Sequence, residues 1–223
     1  MAIDIAFLKS IPYFEGLSPA ELDSIKQVIF EKTVQRGDTI VFEGETAEAL
    51  YFVGSGAVKM FKTSADGKEQ ILCLIRPGES FNDVPTLSGG DNLASAEAMS
   101  DVVLFGIKKS DISAILREHP QVALNVIQVL SQRVQHMVSL IEDLSFRQVT
   151  GRVARILIEN IGDGNGSGHR LTQQEMAAMA GTAREMVGRS LKSLEENGAI
   201  RLERHRIIIT DKKALEEIAG VTT

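Results

Sequence analysis

The sequence predicts an α+β chain in three parts: a small antiparallel β-barrel of jelly-roll type, one long helix, and a C-terminal winged helix-turn-helix. Three observations predict it. Between Glu31 and Ile107, short β-rich runs alternate with glycine turns. From Gln121 to about Ser145, apolar residues repeat at helical spacing. Between Leu171 and Ile200, two short helical patterns meet at Gly181. The boundaries are placed at residues 1–118, 119–145 and 146–223.

Residues 5–30 read as short helices, one starting at Ser18-Pro19 with Glu21 completing the opening turn. The strand candidates are Thr39 to Phe42, Leu50 to Val53, Ala57 to Thr63, Gln70 to Ile75 and Val102 to Ile107. Gly37, Gly44, Gly56, Gly67, Pro77-Gly78 and Gly89-Gly90 punctuate them. Five or more short strands so spaced indicate a barrel or jelly roll. A short helix is expected near Ser110 to Arg117, and Pro120 opens the long one. There Ile127, Leu130, Val134, Met137, Ile141 and Leu144 alternate in steps of three and four, an a/d seam over nearly three heptads. Gln128, Arg133, Gln135 and Glu142 fall outside it. A helix packed on its own domain would carry a similar stripe, but the strict alternation favours a two-stranded coiled coil and a homodimer.

Phe146 to Asn160 forms a further helix, followed by a glycine-rich linker at residues 162–168. Thr172 with Glu175 forms a capping box, Met176, Met179 and Ala180 give the next helix its apolar side, and Gly181 ends it. Thr182 is expected to cap the second helix, with Met186, Val187, Leu191 and Leu194 turned inward and Arg184, Glu185, Gly188 and Arg189 outward. Arginine can grip guanine O6 and N7 with two bonds, and glutamate can accept from cytosine N4, so this is the layout of a helix that reads the major groove. A helical hairpin with a solvated charged face would share the pattern. The wing decides: two β-rich runs, Ala199 to Leu202 and Ile207 to Thr210, follow the Asn197-Gly198 turn, with a polar break at Glu203 to Arg206.

Composition fits this reading. With 43% apolar and 24% charged residues the chain is an ordinary soluble one, and no apolar run approaches a membrane span. No secretory signal is visible, and a cytoplasmic location is expected. The single cysteine, Cys73, excludes an internal disulfide and a four-cysteine metal site. The net charge of −6 is uneven: residues 1–146 hold twelve basic against twenty acidic residues, residues 147–223 twelve against ten. The mildly basic part is the one expected to meet DNA. No phosphate loop, Gly-x-Ser-x-Gly or His/Cys cluster is present, so no enzyme is read here.

Barrel, long helix and winged helix-turn-helix in that order resemble the cyclic AMP receptor protein/FNR family of bacterial transcription regulators. The resemblance spans essentially the whole chain. It is carried by Gly37, Gly44 and Gly56, by Pro77-Gly78-Glu79, by Phe146 with Val149-Thr150-Gly151-Arg152, and by Arg184-Glu185-Met186-Val187-Gly188-Arg189. It implies a cyclic-nucleotide-binding-like barrel whose ligand touches the long helix, and a dimer on a two-fold operator. It implies Arg184, Glu185 and Arg189 as base readers of a GTGA-like half-site, with Thr172, Gln173, Arg204 and His205 nearer the phosphates and Thr182 among the DNA-binding residues. It also implies contact with RNA polymerase; activation or repression is not fixed by the sequence. The barrel also serves as a regulatory subunit of cyclic-nucleotide-dependent kinases, against which the winged helix-turn-helix argues.

The sequence departs from the family's nucleotide cassette, which holds ribose with a glutamate and the cyclic phosphate with an arginine–serine pair. Asp83 stands for the glutamate, and Leu93 and Ala94 for the pair. No Lys or Arg occurs from Glu79 to Ser100, so Asp83 is expected to lack a nearby cation. Met137 and Val138 replace hydroxyl side chains on the long helix. A pocket of Phe81, Asp83, Leu93, Ala94, Met137 and Val138 suits neither cyclic AMP nor cyclic GMP, and no cofactor is expected. Three alternatives stay open: an uncharged small molecule, an empty pocket with regulation by abundance, and a haem ligated through His136, Cys73, Met60, Met99 or Met137.

Overall fold

The structure, a computed structural model, describes residues 3–146, 148–160, 171–203 and 206–220. Residues 1–62 and 72–135 form one compact unit; residues 63–71 and 136–223 form a second.

The first unit opens with α1 (Ile5–Ser10), a 3-10 turn (Pro12–Phe14) and α2 (Pro19–Lys26). Ser18 and Glu21 close a capping box on α2, with Pro19 at its first position as expected. The strands follow: β1 (Ile29–Val34), β2 (Thr39–Val41), β3 (Ala49–Ser55), β4 (Val58–Thr63), β5 (Glu69–Ile75), β6 (Ser80–Phe81), then α3 (Asp83–Ser88), β7 (Ser95–Ala98) and β8 (Val102–Lys108). They form two four-stranded sheets, ordered β1-β8-β3-β6 and β2-β7-β4-β5. Between them lie Val34, Val53, Val58, Phe81, Ala96, Ala98, Val102 and Leu104, buried as the alternation of a strand dictates. Sequence periodicity missed β1, β6, β7 and α3. Ser95 to Ala98 carries no β-branched residue, and the two residues of β6 are too few for a pattern.

α4 (Lys109–Glu118) leads into α5 (Pro120–Phe146), the long helix. The end of the barrel, α1, α2 and the start of α5 share one apolar cluster in which Phe14, Phe52, Ile107, Ile115, Val122 and Val126 meet. Asn125, buried on α5, donates to the carbonyls of Tyr13 at 3.0 Å and Glu15 at 2.9 Å, so polar bonds fix the helix as well as burial. Phe146 is the last residue of α5 and not the first of the next helix, which is α6 (Val149–Asn160).

The second unit continues with α7 (Gln173–Ala180), α8 (Arg184–Glu196), β9 (Ile200–Glu203), β10 (Arg206–Ile209) and α9 (Lys212–Ala219). Val153, Leu157, Met176, Val187, Leu191, Leu194 and Leu215 are its core. β9 and β10 pair antiparallel from Ile200↔Ile209 to Glu203↔Arg206, so the wing strands run further than the polar break suggested. No described helix is long and apolar enough to cross a membrane.

Gly56 shows what the barrel turns demand. Its φ is +84°, and a Cβ there would meet the Asp101 carbonyl oxygen at 2.4 Å. Gly67 has φ +79° with nothing within 4 Å. Gly67→Ala is expected to cost about 1 kcal/mol, the left-handed strain alone, and Gly56→Ala at least about 2 kcal/mol, since backbone must move as well. Urea unfolding of both variants checks the order; equal losses would refute the steric account.

Candidate functional site

The helix-turn-helix is set by its caps. Thr172 Oγ1 accepts from the Glu175 backbone N–H at 3.1 Å, and Glu175 Oε2 accepts from the Thr172 N–H at 2.6 Å. Gly181 ends α7 at φ +59°. Thr182 does not cap α8: the N-cap is Ala183, which has no side-chain bond to offer. The Thr182 backbone N–H instead donates to the Ala177 carbonyl at 3.0 Å, closing the turn.

On α8, Val187, Ser190, Leu191 and Leu194 are buried, while Arg184, Glu185 and Arg189 are exposed. Ser190 lies 3.2 Å from Thr150 of α6, which accounts for a polar group on the inner side. Met186 was expected inward and is 37% exposed. It lies about 200° round the helix from Arg184, beyond Arg189 and outside the buried quadrant. Thr172 and Gln173 are exposed, and Gln173 Oε1 lies 4.0 Å from where a Gly188 Cβ would stand. Arg204 and His205 lie outside the described residues.

In the barrel, Asp83 is 3% exposed at the start of α3. It follows Asn82, which sits at φ +63° and is tied through its side chain to the Ala49 carbonyl at 3.0 Å. The expectation that Asp83 lacks a cation is overturned. Arg133 of α5 reaches it: Nη1 bonds Asp83 Oδ1, and Nη2 donates to the Ser80 carbonyl and, at 2.9 Å, to Ser80 Oγ. Asp83 Oδ2 accepts from Tyr13 at 2.5 Å and from Ser80 at 2.8 Å. Burial raises the Tyr13 hydroxyl well above its usual range, with the Asp83 charge adding to the shift. Tyr13 therefore stays a donor.

Arg133 cannot be read from the residues around Asp83, because the cation comes from fifty positions away. The signal was on the helix: Val122, Val126, Val129 and Arg133 follow one another at steps of four, three and four. The first three pack on the barrel core. Arg133 ends that stripe.

The other pocket residues divide. Phe81 and Ala94 are buried, Phe81 stacked on Tyr51 at 5.2 Å between ring centroids. Leu93 is 59% exposed, and Met137 and Val138 are more than half exposed. Cys73 packs partly buried against the barrel core, and burial pushes its thiol up to about 11. Of the seam, Ile127, Val134, Met137 and Ile141 are more than half exposed, whereas Leu130 packs partly against the barrel core. The Leu144 side chain lies outside the described residues.

Residues 31–119 match the cyclic nucleotide-binding domain, and residues 151–218 the Crp-like helix-turn-helix domain. The chain is 35% identical to the cyclic AMP receptor protein of Thermus thermophilus, over 95% of this chain and 98% of that protein. It is 31% identical to the global nitrogen regulator of Synechococcus elongatus, over 88% and 93%. In fold it is similar to FixK2 from Bradyrhizobium japonicum, with a TM-score of 0.78 and 24% identity over 88% of this chain and 100% of that one.

Asp83 is buried and Arg133 is 30% exposed, so Asp83→Asn leaves a partly solvated guanidinium and weakens the bonds to both Asp83 oxygens. Asp83→Asn is expected to cost about 3 kcal/mol of stability, and Tyr13→Phe about 1 kcal/mol. Thermal unfolding measures both; an Asp83→Asn loss below that of Tyr13→Phe would show that the pair carries no weight.

Proposed function

Because the chain belongs to the cyclic AMP receptor protein/FNR family of bacterial transcription regulators, we propose that it acts as a homodimeric, sequence-specific DNA-binding regulator. It reads a GTGA-like inverted repeat and responds to a small effector other than cyclic AMP. The observation that carries the DNA reading is α8, whose Val187, Leu191 and Leu194 are buried while Arg184, Glu185 and Arg189 are exposed. The dimer rests on the exposed line of Ile127, Val134, Met137 and Ile141 on α5. Apolar side chains in such a continuous row are costly in water, and a second copy of the helix covers them at heptad spacing.

The effector reading rests on donor chemistry. A buried cyclic phosphate needs a cation and donors. Leu93 and Ala94 supply neither, and the Arg133 guanidinium is already engaged by Asp83 and Ser80. To hold a phosphate, Arg133 would have to abandon a buried carboxylate. The residues present do not fit cyclic AMP or cyclic GMP.

On a duplex carrying GTGA and inverted TCAC six base pairs apart, Arg184→Ala should lose at least about 30-fold in affinity, since the dimer loses one bidentate base contact in each half-site. Random-sequence duplex should lose far less. Fluorescence anisotropy at fixed salt checks this, and equal losses on both duplexes would remove the base-reading role. Calorimetric titration with cyclic AMP should show no binding in the micromolar range; a micromolar dissociation constant would overturn the effector reading.

A further inference from the structure

We infer that Met186 is a fourth reading residue of α8, and that its thioether side chain contacts the C5-methyl group of one thymine in each half-site. The inference rests on the DNA-binding reading above and extends it. Met186 occupies the third position of α8, in the first turn, where a groove-inserted helix brings side chains to base edges. It is a large apolar residue standing 37% exposed on a helix whose other large apolar residues, Val187, Leu191 and Leu194, are almost wholly buried. At 100° per residue it lies about 60° beyond Arg189, on the edge of the exposed surface opposite Arg184.

Its neighbour fixes its direction. Arg189 Nη1 lies 3.9 Å from Met186 Sδ, so the thioether lies beside the guanidinium that would meet a base. The base edge next to a guanine or adenine contact in the major groove offers one apolar feature, the thymine methyl. An unbranched, polarizable side chain suits that contact because it can follow the methyl without a fixed branch point. Arg184, Glu185 and Arg189 all address hydrogen-bonding groups, so none of them distinguishes thymine from cytosine by its methyl. Met186 supplies that discrimination.

The test begins with half-sites that the full-length protein selects from a random duplex pool, which makes it independent of the GTGA assignment. Each thymine in the selected half-site is then replaced in turn by deoxyuridine, which removes only the methyl. Affinities are measured for the wild type, Met186→Ala and Met186→Leu. At one position deoxyuridine should weaken the wild type about four-fold, the worth of one methyl taken out of water. Met186→Ala should bind the two duplexes equally there, and Met186→Leu should retain most of the difference. If no thymine separates the wild type from Met186→Ala, the methyl contact is wrong. If Met186→Ala weakens binding while keeping the full methyl effect, the thioether merely steadies Arg189, and the inference again falls. A wild-type protein that selects no sequence would overturn the DNA-binding reading and this inference with it.

Discussion

A carboxylate buried in a β-barrel has to be given a cation, and in this chain that requirement organises the first compact unit. Asp83 sits where no residue of its own loop can neutralise it, and Arg133 answers from α5. The pair fixes more than itself. With Val122, Val126 and Val129 packed on the barrel core and Arg133 locked to Asp83 and Ser80, the rotation of α5 about its axis is set along this length. The residues left pointing away are then Ile127 and Val134. The face of the helix left uncovered in this unit is thus set inside the barrel, by an ion pair about 100–120° round the helix from Val134 and Ile127. Both Asp83 oxygens are in use, and Tyr13 and Ser80 complete the set.

This arrangement changes what the cassette means. Leu93 and Ala94 remove the cation and the hydroxyl that a cyclic phosphate would require, while the acidic residue is kept and satisfied internally. Asp83, Arg133, Ser80 and Tyr13 bond one another at the position where the family's sequence pattern has its ribose-holding glutamate. An effector would have to work through apolar contact or by competing for a guanidinium already bound on two sides.

Much of the fold was legible because its signals are local. The Thr172–Glu175 box, the left-handed Gly181 and the 3-4 spacing on α5 each need only a few neighbouring residues to be read. Arg133 and β7 depend on distant partners, whereas Thr182 and Met186 turn on local geometry. The seam places Arg133 only outside its own stripe, because its partner lies far back in the chain. Thr182 matched the chemistry of a cap, but the chain turns one residue later and leaves Ala183 in that place. Met186 was assigned to the core because it is apolar, although its angle on the helix puts it nearer to Arg189 than to Leu191. Strand β7 was passed over because its serine, alanines and glutamate take their conformation from β2 and β4 on either side and not from their own preference.

Cys73 has a consequence for how such a regulator meets its surroundings. The chain has one sulfhydryl, wedged against the barrel core and held protonated far above neutral pH. Peroxide, nitrosating agents and glutathione disulfide all attack or exchange with the thiolate, which is scarce here. There is no second cysteine to resolve an oxidised one into a disulfide. Its one thiol is thus a poor target for oxidants that act on the thiolate.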